Sequence, residues 1–195
     1  MLIKSNTKPK QAFTTIINEL NKGSSDSRHP FRYVSLASFD SADQELNIRM
    51  LIIREVRKDG TIILYTDSRT NKVKELQNLH NAALLFWHDH HKVQVTIKAD
   101  VVLHHNDDIS EQYWKKDVHG AAQKAYTPNV SPGTSIDAPT EAHAWPEEYS
   151  DEYFCVIKCI PYEMEMLQLS GKEHFRLLFN REDSGSEWKG GWIAP

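Results

Sequence analysis

The sequence is short of cysteine: Cys155 and Cys159 are the only two in 195 residues, which excludes a disulfide-stapled scaffold. At i and i+4 of one strand they share a face but lie too far apart to bond each other, and they read as half-buried thiols in a reducing compartment. No apolar run reaches membrane-spanning length, and the N-terminal "MLIKSNTKPK" lacks the apolar core of a signal peptide. A cytoplasmic protein with no membrane partner is expected. There is no excess of positive charge either: 23 Lys and Arg stand against 27 Asp and Glu, a net −4, so a general nucleic-acid binder is not expected. No glycine-rich fingerprint follows any strand, which argues against Rossmann and P-loop folds; a phosphate would have to be held by side chains. HExxH, CxxC and a serine nucleophile elbow are also missing. The run "HDHH" at 88–91 cannot easily converge on one ion from consecutive positions, so it reads as a polar hairpin tip and no metal is expected.

What is present is mostly strand. After one amphipathic helix at 9–22, with Phe13, Ile16, Ile17 and Leu20 on a face and Gly23 as its stop, extended segments are expected at 31–39, 45–56, 61–66, 82–88, 92–104, 153–168 and 173–179. The turn "RKDG" at 57–60 predicts a hairpin. Short helices fit 71–79, through Val73, Leu76 and Leu79, and 109–118, through Ile109, Tyr113 and Trp114. Residues 127–152 hold half of the prolines and a group of acids, and predict a long loop. The pattern argues for a single mainly β domain over 1–195, an antiparallel barrel with short helices at its rim.

The stretch "RMLIIR" raises a charge problem. Leu46, Ile48, Met50 and Ile52 share one face of the 45–56 strand, and Arg49 shares the other with Leu51 and Ile53. Two apolar faces suggest a strand covered on both sides, so the Arg49 guanidinium needs an anion, either an internal carboxylate or a bound phosphate or carboxylate. Downstream, "YTDSRTNKVKEL" offers Asp67, Ser68 and Thr70 as caps for the 71–79 helix, with Lys72 in its first turn. A cation at a helix start is anomalous unless an anion docks there. Gln94, between Val93 and Val95, needs a partner if half-buried.

In this order, these segments resemble the FMN-binding split-barrel family typified by pyridoxamine 5'-phosphate oxidase, from about residue 30 onward. "RMLIIR" is similar to the family's R-x-x-x-x-K strand, "YTDSRTNK" to its Y-T-(x)n-S-R-K turn, "LLFW" and "VQV" to its "LLF…RQV" pair, and "WKGGWIAP" to its W-K-x-x-R-L-x-P ending. The resemblance implies a six-stranded antiparallel Greek-key split β-barrel that forms a homodimer with FMN at the subunit interface. It assigns the FMN phosphate to Arg49 and Lys72, with Tyr65, Thr66, Thr70 and Asn71 in the same pocket. Gln94 would bond the flavin ring, Met50, Leu51 and Ile52 would lie along it, Arg176 would reach it from the last hairpin, and Ser131 or Ser135 would approach the partner subunit's FMN from the long loop. The chain departs from the pattern at Asn71, where the family has arginine unless Arg69 substitutes, at Leu167 for a tryptophan, at Trp192 for an arginine, and at Arg54 for a lysine. The R-x-H-x-R substrate motif reads Lys172, Glu173, His174, Phe175, Arg176. These departures indicate a side branch of the family.

The implied activity is that of an FMN-dependent oxidoreductase, with hydride passing from a small-molecule substrate to flavin N5 and oxygen reoxidising the flavin. Arg54, Lys172 and His174 would grip an anionic substrate. The alternatives are a non-catalytic split barrel that holds FMN, haem or a deazaflavin, an NAD(P)H-dependent flavin reductase, and a structural dimer whose arginines pair internally.

Overall fold

The computed structural model describes residues 1–169, 171 and 173–195. Strands β1 (Tyr33–Asp40), β2 (Glu45–Val56) and β3 (Ile62–Asp67) form a meander, and β4 (Asn81–His88) returns to pair with β1. That order, β3-β2-β1-β4, is a Greek key. β5 (Val93–His105) and β6 (Phe154–Gln168) follow, and antiparallel pairing of β6 with β3, from Ile62↔Cys159 to Asp67↔Phe154, closes six strands into a barrel. β6 also pairs with β7 (Phe175–Asn180), which carries β8 (Lys189–Ile193).

Local chemistry explains the elements. In the β2–β3 turn Gly60 adopts φ +89°, its N–H donates to the Arg57 carbonyl at 2.9 Å, and the Asp59 carboxylate accepts the Thr61 N–H at 3.0 Å. The predicted spans 45–56 and 71–79 coincide with β2 and α2 (Asn71–Leu79), and the other predicted strands shift by one or two residues. Helix α1 spans Pro9–Ser25 and buries Ile16, Ile17 and Leu20 in the barrel core. It runs through Gly23 rather than stopping there. A Cβ at Gly23 would lie 2.7 Å from the Phe31 carbonyl oxygen, so this glycine serves close packing, not termination. Helix α3 (Asp108–Asp117) lies outside the barrel, where Tyr113 and Trp114 join Ile63, Tyr65, Tyr126, Phe154 and Val156 in a second apolar cluster. Ile109, expected on that buried face, is exposed.

Two further expectations change. β8 forms from "KGGWI", where the sequence suggested only a chain ending. And β2 is not covered on both faces: Leu46, Ile48 and Met50 are 75%, 72% and 61% exposed. Both cysteines are free and fully buried, and burial pushes each thiol up to about 12. The 127–152 segment holds no strand or α-helix, only a 3₁₀ turn at Pro139–Ala142. Among the described residues no helix is long and apolar enough to cross a membrane.

Gly23→Ala tests the α1 packing. Alanine is the better helix former by about 1 kcal/mol, yet overpacking against Phe31 costs about 1–3 kcal/mol, so chemical denaturation should show net destabilisation.

Candidate functional site

Barrel closure brings the end of β3, the start of α2 and the middle of β2 together. Arg49 lies on β2 opposite Leu36, two residues along from Asn47, which faces Ser38. Its Nη2 donates to Glu75 Oε2 at 2.8 Å and its Nη1 to the Ser38 hydroxyl, which in turn donates to Glu75. Asn47 donates to the second Glu75 oxygen at 3.1 Å. The Glu75 side chain is 3% exposed and that of Arg49 21%. A carboxylate therefore answers the guanidinium inside the chain. Sequence reasoning missed Glu75, although its place beside Leu76 on the buried arc of α2 was a usable signal.

Lys72 is placed differently. Its ammonium donates to the Thr66 hydroxyl at 3.1 Å, and among the described residues no salt bridge to it is found. Burial and the neighbouring Arg49 charge hold its pKa below the usual lysine value. The capping expected from Asp67, Ser68 and Thr70 is not seen: Thr70 is the N-cap residue, but its hydroxyl donates to the Asp67 carbonyl at 2.7 Å and no side chain caps the helix. Val73 N–H donates to the Thr70 carbonyl at 3.0 Å, and among the described residues the N–H groups of Asn71 and Lys72 are left open beside a half-buried cation. Asn71 is exposed at the first helical position. Arg69 is committed elsewhere, chelating Asp67 with its closest contact at 2.6 Å, donating to Pro128 O at 2.8 Å and stacking 3.7 Å over Tyr153.

Thr66 and Tyr65 point to opposite faces of β3. Tyr65 sits in the outer aromatic cluster and donates to Asp117 at 2.5 Å, which with burial raises its pKa. Arg54 joins this second group: its guanidinium lies 5.4 Å from the Tyr65 ring centroid, Nη2 donates to Tyr126 at 3.0 Å, and its buried Nε has no partner among the described residues. A third group forms a cross-strand row, Trp87, Gln94, Leu167 and Arg176. Among the described residues the Gln94 side chain makes one long 3.5 Å bond, to Thr96, while Arg176 pairs with Glu165 at 2.7 Å. Met50 is exposed and Leu51 and Ile52 half-buried on β2; Ser131 is half-buried in the long loop and His174 exposed. Lys172 lies outside the described residues.

This architecture, a closed six-stranded antiparallel barrel with a hairpin extension and helices at its ends, is that of a split barrel. Residues 10–105 match the family described as "Pyridoxamine 5'-phosphate oxidase, FMN-binding domain", and the chain belongs to the pyridoxamine 5'-phosphate oxidase-like split-barrel family. It is 25% identical over 202 residues to a pyridoxine/pyridoxamine 5'-phosphate oxidase of Psychrobacter sp. (strain PRwf-1), covering 93% of this chain and 88% of that protein. Two crystal structures share the fold. One is a pyridoxamine 5'-phosphate oxidase-related, FMN-binding protein from Nostoc punctiforme PCC 73102, with TM-score 0.74, 22% identity, and 92% and 95% of the two chains covered. The other is PhzG from Burkholderia lata 383 in complex with tetrahydrophenazine-1-carboxylic acid, with TM-score 0.72, 20% identity, and 98% and 95% covered.

The "HDHH" run does not stay at a hairpin tip throughout. His88 turns inward, and its ligand atom lies within 4.8 Å of those of His29 and Glu19. The Nδ1 atoms accept backbone N–H groups, His29 from Phe31 at 3.1 Å and His88 from His91 at 3.3 Å. In the neutral rings Nε2 then carries the hydrogen, and His29 Nε2 meets Glu19 at 3.1 Å as a donor. His29 and Glu19 form a hydrogen-bonded anchor of α1, with the His88 ring edge-on to His29 at 5.5 Å between centroids. Burial raises the Glu19 pKa, but bonds from Lys22 and His29 outweigh it and leave the pKa below its ordinary 4.5. A depressed folded-state pKa gives stability that is present above 4.5 and lost as pH falls. Glu19→Gln should cost about 1–3 kcal/mol at neutral pH, and the gap from the parent should narrow in melts below pH about 4.5.

Proposed function

We propose that the protein is an FMN-dependent oxidoreductase acting as a homodimer on a small anionic substrate. The observation that carries this reading is Lys72: a half-buried ammonium at a helix start without a side-chain cap, bonded among the described residues to a hydroxyl alone and held below its usual pKa by desolvation and Arg49. An anion there would relieve the repulsion and satisfy the helix N–H groups, and a phosphate monoester suits both. Glu75 then holds Arg49 in place, with one face of the guanidinium committed and the rest of its donors open to the phosphate. Bound FMN would supply hydride acceptance from a substrate carbon and reoxidation by oxygen.

The chain's own residues divide the remaining tasks. Lys72, Arg49, Thr66 and the backbone at Thr70 and Asn71 bind the phosphate. Tyr65 would contribute through its backbone, since its side chain serves the outer aromatic cluster. Gln94, with no strong bond of its own, orients the flavin ring, and Arg176 reaches it while Glu165 limits its swing. Met50, Leu51 and Ile52 supply an apolar wall, and Ser131 comes from the partner's loop. Arg54, with a buried Nε lacking a partner, is the grip for an anionic substrate, aided by His174 and Lys172. The exposed Leu46, Ile48 and Met50 support a second copy covering β2.

The purified protein should be yellow, or should take up added FMN with a flavin spectrum. Lys72→Met should weaken FMN binding about 10- to 100-fold, the loss of one charge-assisted contact, while raising the melting temperature of the flavin-free protein because a half-buried charge repelled by Arg49 is gone. A colourless protein that ignores added FMN, or a Lys72→Met variant with unchanged flavin affinity, defeats the reading. Anaerobic bleaching by pyridoxamine 5'-phosphate indicates an oxidase; bleaching by NAD(P)H alone indicates a reductase. No bleaching by either leaves a cofactor-holding barrel and overturns the oxidoreductase part.

A further inference from the structure

The largest apolar cavity described lies away from every residue named for the flavin. It has a volume of about 710 Å³, within the range of roughly 300–1,000 Å³ usual for small-molecule sites, and sits between the first turn of α1, the β2–β3 turn and the β7–β8 loop. Its wall is aromatic. Phe13 stands with its ring centroid 5.3 Å from Phe179 and 5.2 Å from Trp188; Phe179 is buried, while Phe13 and Trp188 are half-buried and present aromatic surface to the cavity.

The same wall contains a poorly neutralised cation. The Arg181 guanidinium stacks 4.8 Å from the Trp188 ring centroid, and its side chain is only 1% exposed. Its Nε donates to Pro161 O at 2.5 Å and Nη1 to Ser184 O at 3.2 Å, both neutral acceptors, and Nη2 has no partner among the described residues. The nearest carboxylate, Asp59, is 3.9 Å away, beyond a hydrogen bond. Burial holds the Arg181 pKa below its ordinary value. At the mouth stand Lys8 and Lys10, both exposed; Lys10 meets Glu187 at 3.6 Å, an exposed pair of little energetic weight. Asp59 and Asp183 both act on Arg181 and Glu187 on Lys10, so the cavity as a whole is near balance, and its uncommitted positive groups are Lys8 at the mouth and the unpartnered Nη2 of Arg181.

We propose that this cavity is a binding site for a planar aromatic acid. The ring lies against Phe13 and Trp188, and the acid group meets the lysines at the mouth, in the positive field of Arg181. The site does not depend on the flavin reading, because no residue is shared.

The test uses the full chain saturated with FMN and, separately, the chain as purified, with 2-naphthoate as probe and 2-naphthamide as its uncharged counterpart. Amide NMR shifts should move at residues 8–14 and 184–190, and the amide should bind several-fold more weakly than the acid. Lys8→Gln should weaken the acid about threefold and leave the amide unchanged. Thr14→Trp, an exposed position that fills the cavity, should abolish both, as should Ser186→Trp if the first variant melts early. No shifts in those segments at millimolar probe, equal binding of acid and amide, or undiminished binding by both tryptophan variants overturns the proposal.

Discussion

The pairing of β3 with β6 is the contact on which the rest depends. β3 is buried along its whole length, and its six residues each face a residue of β6. Without that ladder the sheet would have two free edges, β3 and the β7–β8 hairpin, and an open interior. With it, one apolar interior forms from both halves of the chain, and the C-terminal end of β3 is fixed against the barrel rim. Because α2 starts four residues after β3 ends, its first turn has nowhere to go but over that rim. The closeness of Lys72 to Thr66 and of Glu75 to Arg49 follows from closure, not from local sequence.

Closure also sorts the half-buried cations, and with them the buried Arg181. Arg49, Arg69 and Arg176 each have a carboxylate within 2.8 Å, supplied by Glu75, Asp67 and Glu165. Lys72 and Arg54 meet hydroxyls instead, and Arg181 meets carbonyls. A paired guanidinium is a structural tie whose removal leaves an orphaned acid; a cation answered only by neutral groups still carries its charge into the low-dielectric interior. The second class is where a bound anion gains most, which directs attention to Lys72 for a cofactor phosphate and to Arg54 for a substrate. Arg49 adds geometry more than net charge, since Glu75 already balances it.

Apolar runs bounded by turn residues were enough to read β1 to β7, and an apolar stripe each helix, whereas the glycine-rich "KGGWI" of β8 gave no such signal. The spans of β2 and α2 follow from "ELNIRMLIIREV" and "NKVKELQNL" alone. What periodicity cannot report is which face finds cover: the alternation that identifies β2 is equally compatible with Leu46 and Ile48 buried or, as in this chain, exposed. Gly23 shows the same limit, since a glycine that ends a helix and one that admits a neighbouring backbone look alike in sequence. Among the site residues, motif order located Arg49, Lys72 and Gln94 on their elements, but their partners depend on contacts across long sequence separations. Glu75 and Ser38 are 26 and 11 residues from Arg49, and His88 reaches Glu19 across the barrel end.

The "RMLIIR" question therefore divides between two residues. A single buried arginine asks for a single anion, and sequence alone left an internal carboxylate and a bound phosphate as rivals. The fold answers the first rival directly, since Glu75 takes Arg49, and Lys72, one turn earlier on the same helix, meets a hydroxyl instead of a carboxylate. In the proposed flavin reading, a carboxylate that orients one cation beside a second without a salt bridge leaves a place for a phosphate. For that reason the charge that should govern flavin affinity lies on α2, outside the strand that first raised the problem.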